Sequence, residues 1–138
     1  MSRRDGFTLL ESLVALVLAG VLLGSSVVAL TALLESARLA GAARSLAATL
    51  RLARGRALAG GSTVEARFDP GRSLYEIGSA AAPEVHSLPP SVRFAGLPAR
   101  GRLVFGALGT AENGTVTLGA GPRQRSVVVN QRGRVRLQ

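Results

Sequence analysis

The chain has 138 residues, which is enough for one modest domain with an extended helix and too few for two full-sized domains. Hydrophobic residues make up 47% of the chain and aromatic residues only 4%, so a thin core of mostly aliphatic side chains is expected. All 17 basic residues are arginines, the net charge is +9, and from Arg93 onward eight arginines stand against one acid, Glu112, which suits an anionic partner. The absence of cysteine excludes disulfides, thiol catalysis and cysteine-bound metals.

The first predicted element is a long apolar helix. Residues 12–34 form a run of 23 residues without a charge, between Glu11 and Glu35. At about 1.5 Å per residue this run makes a helix of roughly 35 Å, longer than the ~30 Å hydrocarbon core of a bilayer. Because Arg3 and Arg4 precede it, the N-terminus is expected to stay in the cytoplasm while the rest of the chain is translocated.

A secretory signal peptide and a plain membrane anchor are the alternatives for this segment. A signal peptide has an apolar stretch of about 7–15 residues and then a cleavage site of small residues. The stretch in this chain is longer, a carboxylate stands at its start, and no such site follows promptly. The sequence therefore favours a membrane-spanning helix that is retained.

Glu11 distinguishes this helix from an ordinary anchor. An ionised carboxylate deep in a bilayer costs on the order of 3 kcal/mol, so it should have a cationic partner in the assembled state. If the chain is cut between Gly6 and Phe7, a new α-amine arises four residues before Glu11. This amine, on the same subunit or on a neighbour, can neutralise the carboxylate.

The segment around the Gly6–Phe7 bond carries a family resemblance. Residues 3–6 and 7–11 resemble the leader and the first residues of type IV pilins and type II secretion pseudopilins. The resemblance implies that 1–6 is a prepilin leader, that a prepilin peptidase cuts after Gly6 and N-methylates Phe7, and that Glu11 registers subunits during filament assembly. It also implies a single-pass inner-membrane protein whose head lies in the periplasm or on an extracellular filament.

Beyond position 34 the spacing of apolar residues predicts that the helix continues with one buried face. Aliphatic residues recur every three or four positions, as Leu39, Ala43, Leu46, Leu50, Ala53 and Ala57. Arg44, Arg51 and Arg54 fall outside this stripe and are expected to be solvated. Gly60 and Gly61 form a strong C-terminal stop.

The chain after the helix has the two-residue period of β-strands. Strands are predicted over 63–68, 73–77, 85–88, 92–95, 102–105, 114–118, 126–130 and 134–137. The sequence thus predicts an α+β, pilin-like fold in which a long N-terminal helix packs on a small C-terminal β-sheet head. Its transmembrane and assembly half covers 7–34, its amphipathic half covers 35–60, and the β-rich head covers 61–138.

Two further segments resemble the GspH/FimT group of minor pilins and pseudopilins. One is the end of the helix, 50–59; the other is the tail, where Phe105, Gly109 and the segments 113–116, 127–129 and 133–136 follow in the group's order. With the leader, the resemblance covers most of the chain but not 78–101. It implies that the partners are prepilin peptidase, other pilins or pseudopilins in a filament, and the inner membrane.

Catalysis is not expected from this sequence. His86 is the single histidine, it lies in a proline-flanked loop or edge strand without an obvious nucleophile partner, and the eight acids form no metal-ligand cluster. The sequence therefore predicts no enzyme activity, no cofactor and no metal site. Asn113-Gly114, which also fits a glycosylation sequon, is interpreted as a tight hairpin turn.

The C-terminal arginines are the best candidate for a binding site. On a strand, Arg132, Arg134 and Arg136 project from one face, while Val135 and Leu137 project from the other. Three guanidinium groups in line can bind successive phosphates in a contact that is sensitive to salt and independent of sequence. The alternative is a solvated strand face in an arginine-rich proteome.

The pattern of Gly133 to Arg136 resembles the tail through which some FimT-type minor pilins bind DNA during natural transformation. It implies a nucleic-acid-binding role for Arg132, Gly133, Arg134 and Arg136, although the few aromatics give little support to base stacking.

The sequence leaves three functions open. The first is a FimT-like minor pilin of a type IV pilus, and the second is a GspH-like minor pseudopilin of the type II protein secretion system. The third is a sensor or envelope protein with an uncleaved anchor.

Overall fold

The computed structural model describes residues 8–79 and 82–138, without the side chains at 23 and 25–28. The chain divides into two compact units, Met1–Leu34 and Glu35–Gln138. One helix, α1 (Leu9–Gly60), contributes to both units. The strands all belong to the second unit and are β1 (Val64–Asp69), β2 (Leu74–Ser79), β3 (Ala82–Ser87), β4 (Arg93–Gly96), β5 (Arg102–Phe105), β6 (Gly114–Ala120), β7 (Arg123–Val129) and β8 (Val135–Leu137).

The first unit contains the N-terminal part of α1. Thr8 caps this helix, because its Oγ1 accepts a hydrogen bond of 3.3 Å from the backbone N–H of Glu11. The large apolar side chains described in this unit are all exposed. Within the described part of the chain, no helix has a stretch long and apolar enough to cross a membrane. The predicted leader, 1–6, and Phe7 lie outside the described residues.

In the second unit, α1 buries the face that its sequence predicts. All six residues of the predicted stripe are buried, and Ala42 and Ala47 are buried beside them. Because alanine supplies much of this face, the strands can approach the helix axis closely. The helix ends at Gly60, and Gly61 follows with φ +57°, the left-handed conformation of a glycine stop.

The strands form two antiparallel four-stranded sheets. The first sheet has the order β3-β2-β1-β5 and the second has the order β4-β6-β7-β8. Their inner faces and the buried face of α1 share one hydrophobic core, in which Phe105, Leu46 and Val127 are fully buried. The α+β prediction of a helix packed on a small β head is confirmed. Each predicted strand overlaps one that is observed, but the division into two sheets was not predicted.

Asn113-Gly114 is not a hairpin turn, so this prediction was wrong. Gly114 is the first residue of β6, and the turn between β6 and β7 contains Gly121, whose φ is +56°. A Cβ at Gly114 would lie 2.5 Å from Cδ2 of Leu103 and 3.0 Å from Cβ of Pro98. Close packing therefore explains this glycine, and no local signal distinguishes that requirement from a turn.

Candidate functional site

The three C-terminal arginines do not lie on one strand. Arg134 and Arg136 flank Val135 at the start of β8 and are exposed, but Arg132 lies in the turn before it. Asn130 shapes this turn, since its Oδ1 accepts hydrogen bonds from the backbone N–H groups of Arg132 (3.1 Å) and Arg134 (2.9 Å). The predicted row of three arginines is therefore wrong for Arg132, because the turn ends later than the sequence pattern indicates.

Gly133 has a structural role in the same turn. Its φ is +68°, and a Cβ there would lie 2.7 Å from Nε of Arg54 and would collide with the carbonyl oxygen of Gly109. Nε of Arg54 donates a hydrogen bond of 3.0 Å to that carbonyl. Gly133 thus leaves the space that Arg54 needs to reach Gly109. In this geometry it shapes the site and offers no side chain as a ligand.

Two arginines of α1 join the C-terminal tail. Arg54 is half-buried rather than solvated as predicted, because the loop of Gly109 and the turn of Gly133 fold back over the helix. Arg51 is exposed as predicted, yet its Nη2 donates a hydrogen bond of 3.2 Å to the carbonyl of Val135. The sequence holds one weak signal for this pair, since positions three apart lie on the same side of a helix.

A shallow groove between α1 and β8 brings these residues together. We call it the arginine groove and define it by Arg51, Arg54, Gly133, Arg134, Val135 and Arg136. Within 8–79 and 82–138, none of its four arginines has a carboxylate oxygen within 4.0 Å. Four uncompensated guanidinium groups on one concave surface create a positive potential that suits a polyanion.

Arginines associated with the first sheet, in contrast, lie beside carboxylates. Arg67 and Arg102 contact the two oxygens of Glu65 at 3.0 and 3.1 Å, and Arg56 contacts Glu84 at 2.9 Å. The hydrogen bond from Arg67 lowers the pKa of Glu65, and that from Arg56 lowers the pKa of Glu84. The positive charge of these arginines is thereby balanced by neighbouring acids.

The predicted processing and assembly residues are only partly described. Gly6 and Phe7 lie outside the described residues. Glu11 lies in the first turn of α1 with an exposed side chain, where the helix dipole favours a negative charge. Its role in filament assembly, and the cleavage before Phe7, stay predictions.

His86 lies on β3, an edge strand of the first sheet, in line with the prediction of a loop or edge position. Its ring stacks on Tyr75 with a centroid distance of 5.1 Å and an interplanar angle of 17°. Among the residues that the structure describes, no three side chains of His, Cys, Asp or Glu are grouped as a metal site. His86 therefore contacts a core aromatic ring, and its Nε2 lies 3.9 Å from Oε2 of Glu84.

Comparison with known protein families matches two segments of the chain. The family model described as type II transport protein GspH matches residues 42–133, about two thirds of the chain. The prokaryotic N-terminal methylation motif matches residues 1–27. No curated protein sequence gives a significant match.

The fold is similar to two solved structures of minor subunits. The type IV minor pilin FimU of Pseudomonas aeruginosa (strain PAO1) is 23% identical, with a TM-score of 0.64 over 75% of this chain and 90% of that one. The minor pseudopilin EpsH from the type 2 secretion system of Vibrio cholerae is 18% identical, with a TM-score of 0.60 over 73% of this chain and 96% of that one. The chain therefore belongs to the GspH family and is a minor pilin or minor pseudopilin subunit.

Proposed function

We propose that the protein is a FimT-like minor pilin of a type IV pilus or related filament, and that its arginine groove binds the phosphate backbone of DNA. Family membership supports the filament role. One observation supports the ligand: four arginines from α1 and the tail converge on a groove without a carboxylate within 4.0 Å in the described residues. The GspH match ends at position 133, so Arg134 and Arg136 lie beyond it.

The N-terminal segment is proposed to act in assembly. Prepilin peptidase cuts after Gly6 and methylates Phe7, a step supported by the methylation motif over 1–27. The exposed apolar side chains of the first unit require a cover, since contiguous apolar surface is unfavourable in water. Inner-membrane lipid covers them before assembly and neighbouring helices cover them in the filament. Glu11 then pairs with an N-terminal amine, and the subunit has a structural rather than a catalytic role.

Binding in the groove follows from guanidinium chemistry. A guanidinium group donates paired hydrogen bonds that match two phosphate oxygens and keeps its charge at any physiological pH. Arg51 and Arg54 each use one described hydrogen bond to a backbone carbonyl, which fixes their positions and leaves further donors for a ligand. Such contacts with the backbone bind DNA without sequence preference and weaken as salt is added.

The test compares duplex DNA binding by the full chain in mild detergent with that of Arg134→Gln/Arg136→Gln. For duplex DNA the logarithm of affinity falls with the logarithm of salt with a slope of about −0.9 per phosphate contact, so the variant should bind more weakly with a slope shallower by about 1.8. Arg72→Gln/Arg100→Gln removes the same charge from exposed positions outside the groove and is the matched control. If Arg134→Gln/Arg136→Gln, called the tail variant below, has the same affinity and the same salt slope as the unsubstituted chain, DNA binding is overturned.

A second candidate function is the GspH-like minor pseudopilin of the type II protein secretion system. The matching family model and the fold similarity to EpsH favour it as directly as FimU favours the first. Deletion of the gene distinguishes the two. Loss of protein secretion with intact pili supports the pseudopilin, whereas loss of pili or of DNA uptake with intact secretion supports the minor pilin.

A further inference from the structure

A second pair of arginines lies at the far end of β8. Arg44 of α1 and Arg125 of β7 line a surface depression together with Ala40, Ala43, Leu137 and Gln138. Arg125 is placed there because the next residue, Ser126, exchanges two backbone hydrogen bonds of 2.8 Å with Gln138. The end of β8 is therefore flanked by two arginines, as its start is.

Both basic clusters lie at the boundary between α1 and β8, one near each end of the strand. Arg44 precedes Arg51 by seven residues, which is about two helical turns, so both lie on the same side of α1. The helix rises ~15 Å from Arg44 to Arg54, and the strand segment from 134 to 138 spans ~13 Å. The helix segment and the strand segment thus have similar lengths. β8 is the edge strand of the second sheet, and residues of α1 and of the segment 133–138 line both depressions together.

The second cluster, like the first, consists of arginines without a neighbouring acid among the described residues. Arg44 and Arg125 are exposed, and no carboxylate oxygen in the described part of the chain lies within 4.0 Å of either. Nε of Arg44 donates to the carbonyl of Ala40 at 3.1 Å, which fixes the direction of its side chain. Leu137, 40% exposed, lines the same depression as Arg44 and Arg125 and is uncharged.

We propose that the DNA site extends along the whole edge of β8 to Arg44 and Arg125, and that the backbone of one DNA strand lies along it. This inference rests on the proposed function of the arginine groove. Phosphates of one strand advance by about 3.4 Å along the duplex axis and are farther apart along the strand itself, so a boundary of ~15 Å is long enough for two or three successive phosphates. The two clusters then contact different phosphates of the same strand, and the number of contacts exceeds that of the tail arginines alone.

The test measures the salt dependence of binding of a duplex of about 20 base pairs by the full chain in mild detergent. The variant Arg44→Gln/Arg125→Gln should weaken binding and make the slope shallower by about 1.8, the amount expected for Arg134→Gln/Arg136→Gln. The quadruple variant should lose about twice as much slope, because the contacts are separate. Arg44 and Arg125 are both exposed, so this variant should have nearly the same Tm as the unsubstituted chain.

The outcomes separate this inference from the proposed function. If the salt dependence of affinity becomes shallower in the tail variant but not in Arg44→Gln/Arg125→Gln, the extension is wrong and the proposed function stands. If it becomes shallower in neither variant, the proposed function itself fails. If the control Arg72→Gln/Arg100→Gln loses as much slope as Arg44→Gln/Arg125→Gln, the effect is one of general charge and the extension is overturned.

Discussion

In the first sheet, Arg67 and Arg102 share the carboxylate of Glu65, and positive charge is matched by a neighbouring acid. In the arginine groove, Arg51 and Arg54 contact backbone carbonyls instead, and the acids in the described residues lie farther than 4.0 Å from them. An arginine count therefore does not show where positive charge is left uncompensated. The positions of the carboxylates show this, and they are known only from the folded chain.

The largest effect is expected from breaking the shape of the groove with Gly133→Ala. The new Cβ would collide with Gly109 and Arg54 at a positive φ, so the free energy of unfolding should fall by about 2–4 kcal/mol. Urea denaturation measures this loss. Gly121→Ala is the control, since its φ is also positive but nothing lies within 4 Å of the added atom, and about 1–2 kcal/mol is expected. Equal losses would contradict the tight fit at Gly133.

A carboxylate placed beside the groove should turn it into a surface like the first sheet. Leu137→Glu puts an acid in the depression that Arg44 and Arg125 line, next to Arg136 in sequence. The affinity for duplex DNA should fall by about 10-fold at low salt, because the acid repels phosphate and pairs with a guanidinium. Val85→Glu adds the same charge at an exposed position on β3 and should have a smaller effect. Equal reductions in fluorescence-anisotropy titrations would show that location does not matter.

Removing Glu65 tests whether arginines outside the groove bind DNA once they lack a neighbouring acid. Glu65→Gln leaves Arg67 and Arg102 without their carboxylate, yet both lie outside the arginine groove. DNA affinity should rise by less than about 2-fold, because Glu65→Gln adds only one net positive charge and the two arginines stand apart from the groove. A gain half as large, on a logarithmic scale, as the loss in Arg134→Gln/Arg136→Gln, which removes two charges, would show that net charge alone determines binding.

The smallest effect concerns the dependence of stability on pH. Because the pKa of Glu65 is lowered in the folded state, this group stabilises the fold above its unfolded pKa of about 4.3. The contribution is lost as the pH falls from there through the lowered folded pKa. Thermal denaturation between about pH 7 and pH 3 should therefore show a steeper loss of Tm in the natural chain than in Glu65→Gln. Parallel profiles would mean that the arginines do not stabilise the charged form.

Local patterns in the sequence predicted the parts of the molecule whose physics is local. The stripe from Leu39 to Ala57 follows the helical period and is buried throughout, and Gly61 has the backbone conformation of a helix stop. The strand segments follow a period of two in the same way. The predicted cleavage after Gly6 and the role of Glu11 depend on motif resemblance, and the intact mass of the cellular protein tests the cleavage.

Residue order alone was enough to indicate the family, the helix with its buried face, and the basic tail. The folded chain was needed to show which arginines share the groove: Arg132 lies in the Asn130 turn, and Arg51 contacts Val135 across 84 positions of sequence. The physical reason is the range of the interaction. Helical and strand periods repeat within a few residues, whereas a groove between α1 and β8 exists only after the chain has brought its distant segments together.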